Sequence, residues 1–326
     1  MKRVTGKFFK VLGVIVALFI ILMLIPRFLS VINPGKPPVG YHFKALDLLA
    51  VGVGLERLVD RNPPLTDDIE EIKNIEYKNI NGKPLQLDIY RPKNLEKPAP
   101  LLVFIHGGGW RSGQRSDYRV YLIPFAQRGY VTATLSYRLI KDSVYPACVE
   151  DAVDAIEWLY RNGDRYGYDT GRIALIGGSA GAHLAMLAGY GWRNTAADSA
   201  TGKTYHVKCV VDIYGPVDLT TEYARNHRLV KDFIAHPCAD KPELYREASP
   251  AAWLDSSDPP TLILHGTSDE LVPLSQSELL EQQLQSLGVP VEFYRLPLWP
   301  HTMDIVQRVN DYCRNRMDEF FRKYLN

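Results

Sequence analysis

The sequence has few cysteines and almost no net charge. Its four cysteines, Cys148, Cys209, Cys238 and Cys313, are widely spaced and form no C-x-x-C pair, so their spacing predicts no zinc site. Spacing also favours no particular disulfide pairing, and we expect buried free thiols. The 38 basic and 37 acidic residues leave a formal net charge of +1, without a basic stripe interleaved with aromatics. We therefore expect no nucleic-acid partner.

The N-terminus is the one strongly biased segment. An uninterrupted apolar run from Val11 to Ile25 follows four basic residues within the first ten positions and ends at Pro26. Apolar neighbours between residues 8 and 32 lengthen the run toward the roughly 20 residues that a membrane span needs. No small residues follow it at alternate positions, so residues 1–32 are predicted to be an uncleaved signal anchor, with a cleaved signal peptide as the alternative. The preceding basic residues place the remaining chain outside the cytoplasm.

The rest of the chain divides into a short linker and one large domain. Residues 33–70 are rich in proline and are interpreted as a linker that carries a helix or two, and as a candidate cap over the site. Two alternating strands then flank Asn81-Gly82, a pair that tolerates the positive φ of a hairpin turn. The predicted catalytic domain covers residues 71–326.

Short apolar strands alternate with amphipathic helices through this domain. Strands that are apolar throughout are typical of a parallel sheet covered by helices on both faces. The sequence therefore predicts an α/β domain that begins with an antiparallel hairpin. The predicted strands are 75–80, 85–90, 101–105, 131–135, 173–176, 207–213, 261–264 and 291–295, and the predicted helices are 118–128, 148–161, 182–188, 276–285 and 304–324.

A Gly-x-Ser-x-Gly motif provides the strongest chemical signal. Gly177 to Gly181 directly follows the predicted strand 173–176 and directly precedes a helix. In this context the motif is typical of a nucleophile elbow, in which a tight turn exposes the serine hydroxyl. Ser179 is thus the candidate nucleophile, and the N–H of Ala180 at the helix start is a candidate oxyanion donor. The alternative is a turn of small residues selected for packing alone.

A glycine-rich loop follows another buried strand. His106 is followed by Gly107, Gly108, Gly109 and Trp110 at the end of strand 101–105. Glycines here let backbone N–H groups face a site, so Gly108 and Gly109 are candidate oxyanion donors beside Ala180. A flexible turn is the alternative. His106 itself is expected to be structural, because it precedes the elbow in the chain.

A serine hydroxyl needs a base and an orienting acid, which follow the nucleophile in the order acid, then histidine. Asp269 lies in the loop after strand 261–264, where open α/β sheets collect functional groups, and Glu270 is its nearest competitor. His301 is the next histidine after Asp269 and the last in the chain, so it is the predicted base. His183 is expected to be a packed helix residue, and His227 and His236 precede the acid.

Over residues 75–326 the chain resembles the hormone-sensitive-lipase-like esterases, and more closely the bifunctional feruloyl/acetyl-esterase-like branch of the α/β-hydrolases. The resemblance implies an α/β-hydrolase fold and a Ser-His-Asp route without a cofactor. It also implies small acyl esters as substrates, often acetyl or aromatic acyl groups on carbohydrate. It is carried by six segments in the order of that branch: His106–Gly113, Tyr145–Asp151, Ile176–Ala185, Tyr214–Leu219, Ala248–Pro250 and His265–Pro273.

Two features depart from that branch. Its catalytic histidine is commonly followed by glycine, whereas this chain has Leu298-Trp299-Pro300-His301-Thr302-Met303. The segments 191–205 and 220–246 look like insertions over the site, so acyl and alcohol preferences do not transfer.

Two other functions remain open at this stage, as does the oligomeric state. An arylformamidase-like amide hydrolase shares the His-Gly-Gly-x-Trp pattern, although the export segment argues against that intracellular role. The second alternative is a membrane-tethered binding protein that keeps the fold without chemistry. A small-molecule ester as substrate, with membrane attachment through residues 8–32, is the favoured interpretation.

Overall fold

A mixed eight-stranded β-sheet forms the centre of the molecule. The computed structural model describes residues 2–33, 35–192 and 205–326, and its strands lie in the order β1-β2-β4-β3-β5-β6-β7-β8. Strands β3 to β8 are parallel, whereas β2 pairs antiparallel with both β1 and β4. The predicted fold class is confirmed. The strands are β1 (Ile69–Ile80), β2 (Lys83–Pro92), β3 (Ala99–Ile105), β4 (Val131–Leu135), β5 (Tyr168–Gly178), β6 (Val207–Ile213), β7 (Thr261–Gly266) and β8 (Val291–Leu296).

The first two strands form the predicted hairpin. Asn81 and Gly82 have φ angles of 52° and 82°, the positive values that an Asn-Gly turn accommodates. Strand β1 starts earlier than predicted, at Ile69. Its pairing with β2 is irregular near Asn74 but continues on both sides of that residue. The N–H of Asn74 donates to Asp88 at 2.8 Å, which satisfies a backbone group that the irregular pairing leaves free.

Helices cover both faces of the parallel strands. Alternate residues of one strand belong to different hydrophobic clusters: Val103 packs on the side of α4 and α6, and Phe104 on the side of α3 and α11. This two-sided burial explains why the strands are apolar throughout. The helices are α1 (Lys2–Ile32), α2 (Lys44–Gly52), α3 (Arg119–Gln127), α4 (Ala147–Arg161), α5 (Gly163–Tyr166), α6 (Ala180–Gly189), α7 (Glu222–Asn226), α8 (Arg228–Ile234), α9 (Pro242–Glu247), α10 (Ser275–Ser286) and α11 (Gln307–Tyr324).

The last helix begins later than predicted. Helix α11 starts at Gln307 rather than at Asp304, because Val306 is extended and pairs with Leu58 across an isolated bridge. Residues 303–305 form a separate 3₁₀ turn. Asp304 therefore belongs to the loop that carries His301 and not to α11.

The N-terminal segment packs against the rest of the chain. In the described residues one helix is long and apolar enough to cross a membrane, Lys10–Ile32, with a mean hydropathy of 2.7. Met23 on this helix is buried with Tyr41 and with Ala50 of α2. Residues 38–40 and 56–59, on either side of α2, then contact the loop between β8 and α11 and the start of α11.

Two further expectations concern cysteines and insertions. All four cysteines are free, and Cys148, Cys209 and Cys313 are buried, as expected. The segment 220–246 folds into helices α7 and α8 and most of α9, and its Leu229 lines a cavity beside Ser179. The other predicted insertion, 191–205, falls largely on residues 193–204, outside the described residues.

Candidate active site

Ser179 sits at a strained turn between β5 and α6. Its φ is 55° and its ψ is −124°, a conformation that a residue other than glycine seldom adopts. The strain is possible because the flanking chain has no side chains: a Cβ on Gly177 would overlap the backbone of Gly181, and a Cβ on Gly181 would overlap the carbonyl of Ile105. The Ser179 N–H donates to Ile213 on β6 at 2.9 Å. The turn therefore presents the hydroxyl at the carboxyl edge of the sheet.

The predicted nucleophile, base and acid lie in hydrogen-bonding contact. His301 Nε2 is 3.0 Å from Ser179 Oγ, and His301 Nδ1 is 2.6 Å from Asp269 Oδ2. These residues come from loops after β5, β7 and β8. Because parallel strands end at one edge of the sheet, three distant segments converge there.

The Asp269 carboxylate is held by four donors. Its Oδ1 accepts the N–H groups of Leu271 and Val272, each at 2.9 Å. Its Oδ2 faces His301 and also lies 3.2 Å from His265 Nε2. Burial acts to raise the pKa of Asp269, but the hydrogen bonds from the two histidines outweigh it and hold the pKa well below its usual value. The group is thus a carboxylate that orients the His301 ring.

His265 was not singled out as a functional residue, yet it touches the acid. Its Nε2 also lies 2.9 Å from the carbonyl of Val272, and its Nδ1 lies 2.7 Å from Ser277 Oγ. Since both neighbours of Nε2 are acceptors, the proton belongs on Nε2, and Nδ1 accepts from the serine hydroxyl. His265 is consequently a second donor to Asp269.

The loop that carries His301 bends through two left-handed residues. Leu298 and Thr302 have φ angles of 63° and 58°. Thr302 occupies the position where the related branch commonly has glycine, so the threonine adopts the conformation that glycine would take more easily. Between them, Trp299 is buried and donates its Nε1–H to the carbonyl of Pro38 at 2.9 Å. The departure from the family pattern therefore coincides with a contact to the N-terminal segment.

Backbone hydrogen bonds extend this contact along the loop. The N–H of Gly40 donates to Pro297 at 2.8 Å, and the N–H of Val59 donates to Ile305 at 2.9 Å. The N–H of Gln307 returns a bond to Arg57 at 2.8 Å. Residues 38–59 thus brace the loop on both sides of His301.

Arg308 fastens the same segment from the start of α11. Its guanidinium donates to Glu56 at 2.8 Å and to the carbonyl of Val39 at 2.9 Å. It also lies 4.8 Å from the ring centre of Trp299, a cation–π contact. Glu56 is buried, so this pairing satisfies a carboxylate that has little access to water.

The glycine loop after β3 faces Ser179. The carbonyl of Gly108 accepts the N–H groups of Arg111 and Ser112 at 3.2 and 3.1 Å. Because the C=O and N–H of a trans peptide point in opposite directions, the N–H of Gly109 is turned away from those donors. In the described residues the amides of Gly108, Gly109 and Ala180 have no hydrogen-bond acceptor. They are therefore free to bind an anionic oxygen.

Two cavities meet at the serine. The larger one has a volume of about 420 Å³ and the smaller one about 20 Å³. Gly109, Ser179 and Leu229 line both, whereas Ala180 lines the smaller cavity alone. The larger cavity also reaches Val59 and Arg61, so the segment that braces His301 contributes to its wall.

A polar wall of the larger cavity was missed by the sequence analysis. The hydroxyl of Tyr121 donates to Asp304 at 3.0 Å, and that of Tyr214 donates to the other oxygen of Asp304. Burial raises the pKa of Asp304, an effect that the two tyrosine hydrogen bonds oppose. The Tyr214 ring centre lies 4.6 Å from that of His301. The position of Asp304, three residues after the candidate base, was the available signal.

The remaining histidines have structural surroundings. His106 is buried, stacks on Tyr137 with ring centres 4.3 Å apart, and has a pKa that burial lowers. His183 is buried in α6, where Nε2 meets the carbonyl of Ala248 at 2.7 Å. Burial lowers its pKa to about 4. His227 accepts the N–H of Leu229 at the start of α8. Among the described residues no group of three metal-ligating side chains is found.

Comparison with known proteins identifies the family to which this chain belongs. The chain is 31% identical to esterase LipC of Mycobacterium tuberculosis over an alignment of 261 residues. This alignment covers 76% of this chain and 64% of LipC. It thus spans less than two thirds of that relative. The propionate-bound esterase Est2 of the planctomycete Thermogutta terrifontis is 25% identical, with a TM-score of 0.67 over 80% of this chain and 96% of Est2. A structure of that esterase phosphoramylated by tabun, also 25% identical, gives a TM-score of 0.66 over the same shares.

The family model named BD-FAE matches residues 87–284, which is well over half of the chain. This span includes the glycine loop, the elbow and Asp269. The chain belongs to the BD-FAE family, as its resemblance to feruloyl/acetyl-esterase-like enzymes predicted.

Proposed function

We propose that this protein is a serine carboxylic-ester hydrolase. The observation that carries the proposal is the position of His301, whose two ring nitrogens lie 3.0 Å from Ser179 Oγ and 2.6 Å from Asp269 Oδ2. A histidine so placed can remove the serine proton while the carboxylate fixes its tautomer. The names of the esterases that this chain resembles support the same assignment.

The reaction follows from the protonation states. Because Asp269 is ionised, it accepts a hydrogen bond from His301 Nδ1–H, and Nε2 is left unprotonated toward Ser179. As Ser179 Oγ attacks the ester carbonyl carbon, its proton moves to His301 Nε2. The C–O bond to the alcohol then breaks, and the alcohol leaves with that proton. Water repeats the attack on the acyl-enzyme, with His301 as base, and releases the acid.

Backbone amides stabilise the oxyanion in this proposal. Within the part of the chain that the structure describes, the N–H groups of Gly108, Gly109 and Ala180 have no acceptor, and they border the serine. Ala180 is the first residue of α6, so the positive end of the helix dipole also faces the developing charge. Preorganised donors of this kind need no rearrangement during the reaction.

The cavities support a short acyl group. The smaller cavity borders Ala180 and is far smaller than the other, about 20 Å³ against about 420 Å³ on the same measure, so it suits a short acyl group rather than a long chain. The larger cavity then receives the alcohol, and its tyrosine and carboxyl groups suit a hydroxylated alcohol such as a carbohydrate. We extend the proposal to acetyl esters of carbohydrate. For feruloyl esters, which the resemblance also implies, the acyl group would have to occupy the larger cavity in place of the alcohol.

The apolar helix Lys10–Ile32 supports membrane attachment. The basic residues before it favour a cytoplasmic N-terminus and a catalytic domain outside, as for a signal anchor. An extracytoplasmic ester would then be the substrate.

The test of the proposed chemistry is Ser179→Ala in the full-length protein. We expect the rate of p-nitrophenyl acetate hydrolysis to fall about 10⁴-fold, and labelling by a fluorophosphonate probe to disappear, because both need the serine oxygen. Ser286→Ala, at the end of α10, is the matched control and should keep both properties. Retained hydrolysis by folded Ser179→Ala would show that the nucleophile lies elsewhere.

Acyl preference is tested separately. We expect hydrolysis of p-nitrophenyl esters to drop sharply from acetate to octanoate, because the cavity beside Ala180 does not admit a long chain. Equal rates for both esters would refute the short-acyl proposal and leave the serine mechanism intact.

A further inference from the structure

Helix α2 exposes an apolar face. Leu48, in the middle of the helix, has 72% of its surface exposed. Phe43 and Val53, which flank the helix at its start and end, have 66% and 62% exposed. Ala45, Leu48, Leu49 and Gly52 follow the i, i+3, i+4, i+7 spacing that places them on one side of a helix, and all four are exposed. An exposed apolar patch of this kind is typical of a surface that contacts another protein or a membrane. This patch lies next to the apolar N-terminal helix.

The opposite side of α2 determines where this face lies. Ala50 and Leu46 pack with Tyr41 against Met23 of α1. Met23 belongs to the uninterrupted apolar run 11–25. Any bilayer that surrounds this run therefore reaches the level of α2, since the two helices touch at that level.

Helix length leads to the same conclusion. Residues 10–22 of α1 are all exposed, but at about 1.5 Å per residue they span only about 20 Å, less than the roughly 30 Å of a hydrocarbon core. Crossing the core thus needs residues after Leu22, which is where the protein packs on α1. The charged residue that interrupts this stretch, Arg27, donates one hydrogen bond to the carbonyl of Leu55.

We propose that the exposed apolar face of α2, together with apolar residues that flank the helix, is embedded in the outer leaflet of the membrane that α1 crosses. The large embedded side chains are Phe43, Leu48, Leu49, Val53 and Leu58. The catalytic domain then sits on the bilayer, with Val59 and Arg61 at the cavity wall directly following the embedded segment. This inference rests on the proposed membrane attachment and extends it from a tether to a membrane-bound surface.

The test uses the full-length chain in phosphatidylcholine vesicles that contain phosphatidylglycerol. A single NBD fluorophore is placed by Leu48→Cys in a Cys238→Ser background, where the other cysteines are buried. Lipids carrying a nitroxide near the carbonyl end of the acyl chain report contact with the leaflet. Val16→Cys in α1 reports the anchor, and Arg161→Cys, at the end of α4 on the opposite edge of the sheet, is the matched control.

We expect the nitroxide lipid to lower NBD emission at Leu48 by about half and to leave Arg161 unaffected. Val53→Cys should repeat the Leu48 result if the first variant folds poorly, and each labelled protein must show the wild-type urea unfolding midpoint. A quenched Val16 label with an unquenched Leu48 label would overturn the inference and leave the anchor in place. An unquenched Val16 label would refute both.

A further possible outcome is a Leu48 label that neither quencher reaches. If aqueous iodide fails to reach a Leu48 label that the nitroxide lipid also fails to quench, protein covers this face, and the proposal is wrong. Since the esterase assay is independent of all these labels, failure of the proposed hydrolase chemistry remains distinguishable.

Discussion

Ser179 and His301 lie 3.0 Å apart, but different parts of the molecule hold them there. The serine is fixed by its immediate neighbours: two glycines, strand β5 and helix α6. The histidine is fixed by residues 38–59, which lie more than 200 positions away in the chain and outside the region that the family model matches. Ser179, the proposed nucleophile, is positioned by local backbone geometry, whereas the position of His301, the proposed base, depends on packing between distant segments.

This difference separates the part of the site that lies inside the family-model match, at Ser179, from the part that lies outside it, at His301. The elbow tolerates almost no variation, because added side chains would collide with backbone on both flanks. The base loop accepts Trp299 and Thr302 because the N-terminal segment holds it from outside. The comparison predicts that changes near the serine act on chemistry directly, and that changes in residues 38–59 act through the base.

The largest expected effect is at Asp269, which orients the base by direct contact. Asp269→Asn should lower kcat about 10⁴-fold, because an amide can favour the wrong tautomer of His301. Steady-state kinetics with p-nitrophenyl acetate measures the loss. Glu270→Gln, at the exposed neighbouring position, is the control and should keep wild-type kcat. A loss below tenfold at Asp269 would mean that packing alone orients His301.

The second prediction changes the N-terminal brace without substituting any residue of the loop that carries His301. A Cβ at Gly40 would lie 2.8 Å from the carbonyl oxygen of Leu298, so Gly40→Ala should push residues 38–41 away from the loop. We expect the free energy of unfolding to fall by about 2 kcal/mol, the range of overpacking. We also expect kcat to fall about tenfold, since misplaced catalytic groups lose rate steeply.

Gly52→Ala is the matched control for this experiment, because nothing lies within 4 Å of its Cβ position. Urea unfolding and kcat should both stay near wild type. If Gly40→Ala lost stability while kcat stayed unchanged, the segment would support the fold but not the base, and the contrast between the two sides of the site would disappear.

The smallest expected effect lies on the serine side, at His183 in the elbow helix. Its pKa is lowered from 6.5 to about 4 by burial, so below pH 6.5 the unfolded chain binds a proton that the folded chain does not. This group therefore costs stability as the pH falls from 6.5 toward 4. Between pH 6.5 and about 5.5 the loss should be about 1 kcal/mol.

Urea midpoints at the two pH values measure that loss, and His183→Gln should show a smaller pH dependence because glutamine does not titrate. The kinetics of Ser179 at pH 7 should differ little from wild type, provided that the glutamine amide reaches the carbonyl of Ala248. An equal pH dependence in both proteins would show that other groups dominate the acid sensitivity.

The elbow and the sheet were predictable because their signals are local. Gly177 to Gly181 follows an apolar strand, and the alternation of strands with helices defines the fold class. The order of serine, acid and histidine then selected Asp269 and His301 without any spatial information. The positions of these side chains agree with that selection.

The brace and the polar wall were not predictable in the same way. Residues 33–70 have the prolines of a linker, and no periodic pattern indicates that Trp299 will find the carbonyl of Pro38. Asp304 was assigned to the final helix because its neighbours fit a helical pattern, but the bridge between Leu58 and Val306 delays α11 until Gln307. Contacts between distant segments overrode local propensity in both places.

The hydrogen bond between Trp299 and Pro38 sets how far along the chain a proteolytic cut could fall without disturbing the site. A peptidase that cut between Ile32 and Pro38 would release a shed enzyme that keeps the brace, losing the contact of Ser30 with Arg308. A cut only a few residues later would remove the acceptor of Trp299 and the partner of Pro297. The shed product would then keep the geometry around Ser179 but lose the contacts that support the His301 loop. The position of the cut would therefore decide whether the released enzyme is active or inactive.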